Sequence, residues 1–210
     1  TEIYTLSLHD ALPIYLDLNN GIKTLKKQFE SAKFDVICSN VYFEEKTIFL
    51  SHKIYEVNGT KILVVGITSP ESAIQAPQEM IKDLIFREPA KQVEKYYNEL
   101  NGQFDLLMVI SNLRHEEDSK MAKDCPYIDA IISRYDINPE NKVTKIGKVL
   151  IARNSQKQGS EVGQIVFRKK ESKWESQNPQ FHIVKESEIP DPEALKIGRA
   201  HVWTPVTEYD

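Results

Sequence analysis

Phe104-Asp105-Leu106-Leu107-Met108-Val109-Ile110-Ser111-Asn112-Leu113-Arg114-His115-Glu116-Glu117-Asp118 is the stretch on which the reading of the fold turns. The apolar run 104–110 predicts a strand, and the polar residues that follow predict a loop and then a short helix over 116–123. A strand that ends in Ser, Asn, His and acidic residues is the usual place for a site in an α/β layered domain.

Outward from this stretch the chain alternates helix-like and strand-like segments. Upstream, Ile22, Leu25, Phe29 and Ala32 recur at helical spacing between Gly21 and Lys33, with Lys23, Lys26, Lys27 and Glu30 on the other face. A short apolar run, 34–41, then reads as a buried strand ending in Ser39-Asn40. Strands are expected over 46–50 and 53–57, with Asn58-Gly59 turning the chain into 61–68, a run too apolar for one wet face and therefore central. A helix over 88–101 has Pro89 in its first turn, an apolar stripe of Ala90, Val93, Tyr97 and Leu100, and Gly102 as its stop. Downstream, 128–132 reads as a further buried strand. Hairpins follow over 143–153, turning near Gly147-Lys148, and over 163–176, with an edge strand at 181–184.

The 210 residues carry 40% apolar side chains, 9% aromatic and a net charge of -4, which fits an ordinary globular domain with a real core. Lys and Arg are scattered among Asp and Glu without a basic stripe, so nucleic acid is not an expected partner. No apolar run approaches the roughly 20 residues that span a bilayer. Cys38 and Cys125 are too few for a zinc cage. Cys38 is expected to pack as a small buried hydrophobe, and Cys125 to sit at a helix-to-strand turn without thiolate character.

The order of the short motifs resembles the 5'-nucleotidase type of calcineurin-like metallophosphoesterase. The resemblance rests on Cys38-Ser39-Asn40-Val41, on Gly66-Ile67-Thr68-Ser69-Pro70, and on Leu113 with His115-Glu116-Glu117-Asp118. Tyr127-Ile128-Asp129-Ala130-Ile131-Ile132 and the later 148–153 through Gly163 continue it, so that it covers about 16–193. It implies an α/β fold: a layered α-β-β-α sandwich of two mixed sheets flanked by helices, here lacking its first strands. It also implies hydrolysis of phosphate esters of nucleotide type by two divalent metal ions, which polarise the ester and lower the pKa of a bridging water.

Carried over residue by residue, the resemblance puts Asn112 where the family has a metal-binding histidine. If Gly21 matches the glycine after the family's Gly-Asn-His-Glu motif, Tyr15, Leu16 and Asn19 stand for a ligand, the catalytic histidine and its acidic partner. The last metal loop, Gly-Gly-His-Thr-His in the family, reads Ser133-Arg134-Tyr135-Asp136-Ile137. Isoleucine has no lone pair and neutral tyrosine is a poor ligand, so the chain is expected to bind neither metal. Asn112 remains as a carbonyl ligand or an ordinary turn residue. His115 matches a family histidine that is not a usual ligand and reads more simply as a surface or helix-capping residue. Glu116-Glu117-Asp118 reads as a solvated first helical turn. Arg134 is a candidate for holding a phosphate or carboxylate without metal, the plainer expectation being a surface pair with Asp136 or Asp129.

Both ends look foreign to the fold. Ser7 to Ile14 and Ile197 to Thr207 resemble translated sequencing adapters, so the expected division is 1–15 adapter-derived, 16–188 partial phosphoesterase domain, 189–196 the start of a linker and 197–210 adapter-derived. The resemblance further implies a C-terminal substrate-binding domain in the parent, a phosphate-ester or nucleotide ligand, and an extracytoplasmic location. Two functions follow: a fragment of a nucleotide-directed hydrolase, inactive as given, or a non-catalytic relative serving as a binding or structural module.

Overall fold

Apolar residues on both faces of adjacent strands require cover on both sides, and the computed structural model supplies it with helices on one face and a second sheet on the other. The described residues are 2–4, 21–30, 35–71, 77–134, 138, 142–153, 161–171 and 173–183. Residues 5–20 and 184–210, on which most of the adapter and linker expectations fall, lie outside them.

The chain runs β1 (Glu2–Tyr4), α1 (Gly21–Glu30), β2 (Val41–Phe43), β3 (Lys46–Thr47), β4 (His52–Val57), β5 (Thr60–Ile67), α2 (Gln78–Ile81), β6 (Leu84–Phe86) and α3 (Pro89–Glu99). It continues through β7 (Leu106–Ser111), α4 (His115–Asp124), β8 (Ala130–Ser133), β9 (Val143–Ile146), β10 (Val149–Arg153), β11 (Glu161–Lys170), β12 (Lys173–Ser176) and β13 (Gln180–Ile183). The main sheet has the order β4-β5-β7-β8-β10-β9. Its four inner strands are parallel to one another, and its two outer strands return antiparallel as hairpins. Asn58 and Gly59 both have positive φ in the β4–β5 turn, the conformation that an Asn-Gly pair adopts at low cost.

Strict alternation along the inner strands sorts their side chains. Leu107, Val109, Ile131, Val149 and Ile151 face α3 and α4, where Val93, Tyr96, Met121 and Ala122 meet them. Leu106, Met108, Ile110, Ala130, Ile132, Leu150 and Ala152 face the second sheet, where Ile165 and Phe167 of β11 close the core. In that second sheet β11 pairs with β1, β12 and β13, and every described pair is antiparallel. Each fully buried aliphatic side chain in these layers contributes about 1.5–3 kcal/mol.

The predicted strand over 34–41 is only partly regular. Ile37 bridges Leu50, Ser39 N–H donates to the Gly66 carbonyl at 2.8 Å, and a ladder begins only at Val41. α2 and β6 were not legible as elements. The three-residue β6 pairs with β2, and Leu25, Ile81, Phe49, Leu84 and Phe86 form a separate small core beneath α1.

Candidate functional site

β7, β8 and β10 end at the same level, because Ser111 pairs with Ser133 and Ser133 with Arg153. Alternation turns all three side chains toward the helix layer, where they converge on Asp118 of α4. Ser111 Oγ donates to Asp118 Oδ1 at 2.6 Å, and Ser133 Oγ and Arg153 Nη2 donate to Oδ2, the latter at 2.6 Å. Ser111, Ser133 and Asp118 are fully buried, and Arg153 is nearly so. A second acceptor role falls to Ser111 Oγ, which takes Leu113 N–H at 3.0 Å and thereby fixes the loop leaving β7.

This corrects the expectation that Glu116-Glu117-Asp118 is a solvated turn. Glu117 does act at the helix start, accepting Arg114 N–H at 2.9 Å. Asp118 instead lies on the buried face with Met121 and Ala122, so the helix is amphipathic despite its polar composition. The signal was present in the spacing of 118, 121, 122 and 125. Burial raises the Asp118 carboxyl to about 6, with the two serine hydroxyls and the Arg153 guanidinium acting against that rise.

A second knot ties the preceding strand end. Asn40 Nδ2 donates to the Thr68 carbonyl at 2.7 Å and Asn40 Oδ1 accepts Thr68 N–H at 2.9 Å. Cys38 is fully buried beside it, and burial pushes its thiol pKa up, which agrees with the expected inert role. Cys125 caps α4 at the helix-to-strand turn, its pKa likewise raised by burial.

The three residues nominated from sequence lie near this edge. Asn112 N–H donates to the Ile67 carbonyl at 2.9 Å, and the residue is 9% exposed. Its carboxamide makes no hydrogen bond among the described residues. Arg134 N–H donates to the Ser111 carbonyl at 3.1 Å, which sets Arg134 beside Asn112, and its side chain is exposed without an ion pair among the described residues. Asp129, one of its expected partners, instead binds Lys148 at 2.9 Å and accepts Leu107 N–H, while Asp136 lies outside the described residues. His115 opens α4, half-buried, with Nδ1 unpaired among the described residues.

Among the described residues the donors at this edge do not fit a binuclear metal centre. Among the described residues no group of three or more His, Cys, Asp and Glu could hold a metal ion. The loop's own buried carboxylate, Asp118, is committed to Arg153. Of the remaining positions that the resemblance nominates, Tyr15, Leu16, Asn19, Tyr135 and Ile137 lie outside the described residues, and the leucine and isoleucine carry no donor atom. A cavity of about 540 Å³, lined by Asp129, Lys148, Phe167 and Trp174 among others, opens at the opposite, amino-terminal end of β8 and β10. It takes no part in this edge.

No profile of a known protein family matches the sequence. In sequence the chain is similar to a 5'-nucleotidase of Vibrio vulnificus, at 30% identity over 124 residues that cover 57% of this chain and 22% of that protein. It is also similar to protein UshA of Yersinia enterocolitica, at 24% identity over 139 residues covering 59% of this chain and 25% of the relative. The chain therefore spans about a quarter or less of the length of these relatives. In structure it resembles the calcineurin-like phosphoesterase YfkN of Bacillus subtilis, with a TM-score of 0.72 at 14% identity over 90% of this chain and 68% of that one. A 5'-nucleotidase precursor from Thermus thermophilus matches with a TM-score of 0.69 at 18% identity, over 90% of this chain and 41% of the other. The structural likenesses establish the fold, that of part of a calcineurin-like phosphoesterase domain, and in sequence the chain is similar to a part of 5'-nucleotidases.

Proposed function

We propose that the chain derives from a phosphate-ester hydrolase acting on nucleotide-type substrates, and that the residues present do not turn such substrates over. The observation that carries this reading is the donor set at the strand ends. Asn112 replaces one imidazole, Tyr135 and Ile137 stand in the last metal loop, and the buried carboxylate is paired with Arg153. In the parent protein a C-terminal substrate-binding domain and an extracytoplasmic location are proposed from the relatives. Among the described residues no helix is long and apolar enough to cross a membrane.

A second reading, a non-catalytic relative that binds a phosphate-bearing small molecule, is favoured by Arg134, a cation at a position where the family carries glycine. Metal analysis of the purified chain alongside hydrolysis of a nucleoside monophosphate in Mn²⁺ tests both. The expected outcome is neither bound metal nor turnover. Two bound metals with metal-dependent turnover would overturn the proposal that this chain is inactive.

A further inference from the structure

The cavity of about 540 Å³ at the amino-terminal end of β8 and β10 takes its lining from both sheets. Lys145, Gly147 and Lys148 of the β9–β10 hairpin contribute from the main sheet, and Phe167 of β11 with Trp174 and Ser176 of β12 from the second. Its size falls in the range usual for small-molecule sites, roughly 300–1,000 Å³. It lies at the far end of the main sheet from the pair of Asp118 and Arg153, and no role assigned above uses it.

Register decides which side chains face this space. Lys145 stands directly opposite Leu150, and Leu150 belongs to the core between the sheets, so Lys145 of the edge strand β9 is on the inner side at the mouth. Across from it, Ser176 pairs with the nearly sealed Phe167 and Trp174 with Lys169, which puts all four on the inner side of the second sheet. Lys169 Nζ lies 5.7 Å from the centre of the Trp174 ring. The carboxylates at the mouth are engaged or turned away. Asp129 Oδ1 accepts from Lys148 Nζ at 2.9 Å and Oδ2 from Leu107 N–H at 2.9 Å, while Glu175 alternates to the outer side, opposite Arg168. Lys145 is exposed and has no ion pair among the described residues.

An inward lysine on an edge strand guards against strand pairing, which would account for Lys145 alone. It would not account for a half-buried indole facing the same cavity from the other sheet, with a second lysine over its ring. We propose that this mouth between the sheets binds a planar aromatic anion, its ring on Trp174 above Phe167 and its carboxylate or phosphate on Lys145. Apolar burial and ring contact supply the affinity, and the lysine orients the charged end. The site is separate from any hydrolysis at the carboxyl ends of the strands and stands or falls without it.

Titration calorimetry in excess EDTA tests it, with naphthoate, naphthyl phosphate, inorganic phosphate and the neutral naphthalenemethanol as separate probes. Saturable binding of naphthoate or naphthyl phosphate is expected, and which of the two binds tells a carboxylate site from a phosphate site. Lys145→Ala should weaken the bound probe about threefold and Lys145→Glu, which sets a negative charge against the anion, about tenfold. The indole N–H resonance of Trp174, one of two tryptophans in the chain and identified by its loss in Trp174→Phe, should shift with the same midpoint. Circular dichroism melts confirm that each variant is folded. Four results would each overturn the site: no saturable binding of either aromatic anion, binding of the neutral alcohol or of inorganic phosphate as tight as theirs, binding that Lys145→Glu leaves unchanged, or a Trp174 resonance that does not move.

Discussion

Arg153 Nη2 lies 2.6 Å from Asp118 Oδ2, and both side chains are sealed from water at the point where β7, β8 and β10 end. The pair joins the main sheet to α4 through charge, with two serine hydroxyls completing the carboxylate's shell. Removing one partner takes from the other buried charge the opposite charge that it faces at 2.6 Å. Asp118→Ala or Arg153→Ala is therefore expected to destabilise the fold by about 3–5 kcal/mol, measured by urea unfolding. The double replacement Asp118→Leu with Arg153→Met should cost much less than the sum of the two single losses. Strictly additive losses would mean that the pair does not act as a unit.

The same carboxyl sets a pH dependence with a definite sign. Burial raises it from the ordinary 3.8 to about 6, so the folded state favours the protonated form more than the unfolded chain does. Its contribution to stability is fully present below about 3.8 and is lost as pH rises through about 6. The size of the change is on the order of 3 kcal/mol across that window. Asp118→Asn should flatten the corresponding part of the stability curve. If subtracting the Asp118→Asn curve from the wild-type one leaves a term that rises with pH between 4 and 6, the assigned direction is wrong.

The Ser133 hydroxyl adds one donor to the buried carboxylate. Ser133→Gly is expected to cost about 1–2 kcal/mol through the lost hydrogen bond and the freer unfolded chain. Thermal melts should show the loss, and Ser133→Ala should separate the hydrogen-bond part from the backbone part.

Asn40 uses both ends of its carboxamide on Thr68. Asn40→Ala leaves the Thr68 N–H and carbonyl without that partner, and a loss of about 2–4 kcal/mol is expected. Asn40→Asp keeps the acceptor and replaces the donor with a charge, so it should be no milder. Hydrogen exchange at Thr68 N–H should accelerate in either variant.

Since the buried carboxylate at this edge is paired with Arg153 and no metal-holding group is found among the described residues, chelation is expected to leave the thermal midpoint unchanged. A ligand that binds the folded state raises that midpoint by mass action, so a fall on adding EDTA would reveal a bound metal ion.

Much of the fold was legible because apolar periodicity reports directly on burial. The runs before Ser111 and Ser133 became adjacent parallel strands, the Asn58-Gly59 and Gly147-Lys148 turns fell where composition placed them, and Pro89 opened its helix. β6 was missed because three residues carry too little period to read, and it gains its order from pairing with β2. The loop residues Asn112, His115 and Arg134 were named from sequence, but which of them faced a common side was not.

The sequence alone determined the layered class and the order of most strands along the chain. Those are local properties of residue identity and spacing. That Asp118 is buried against Arg153, 35 positions away, was decided only by tertiary structure. A carboxylate in a polar helix reads as solvated until the sheet brings a guanidinium and two hydroxyls to it, because the free energy of a buried charge is set by its neighbours in space.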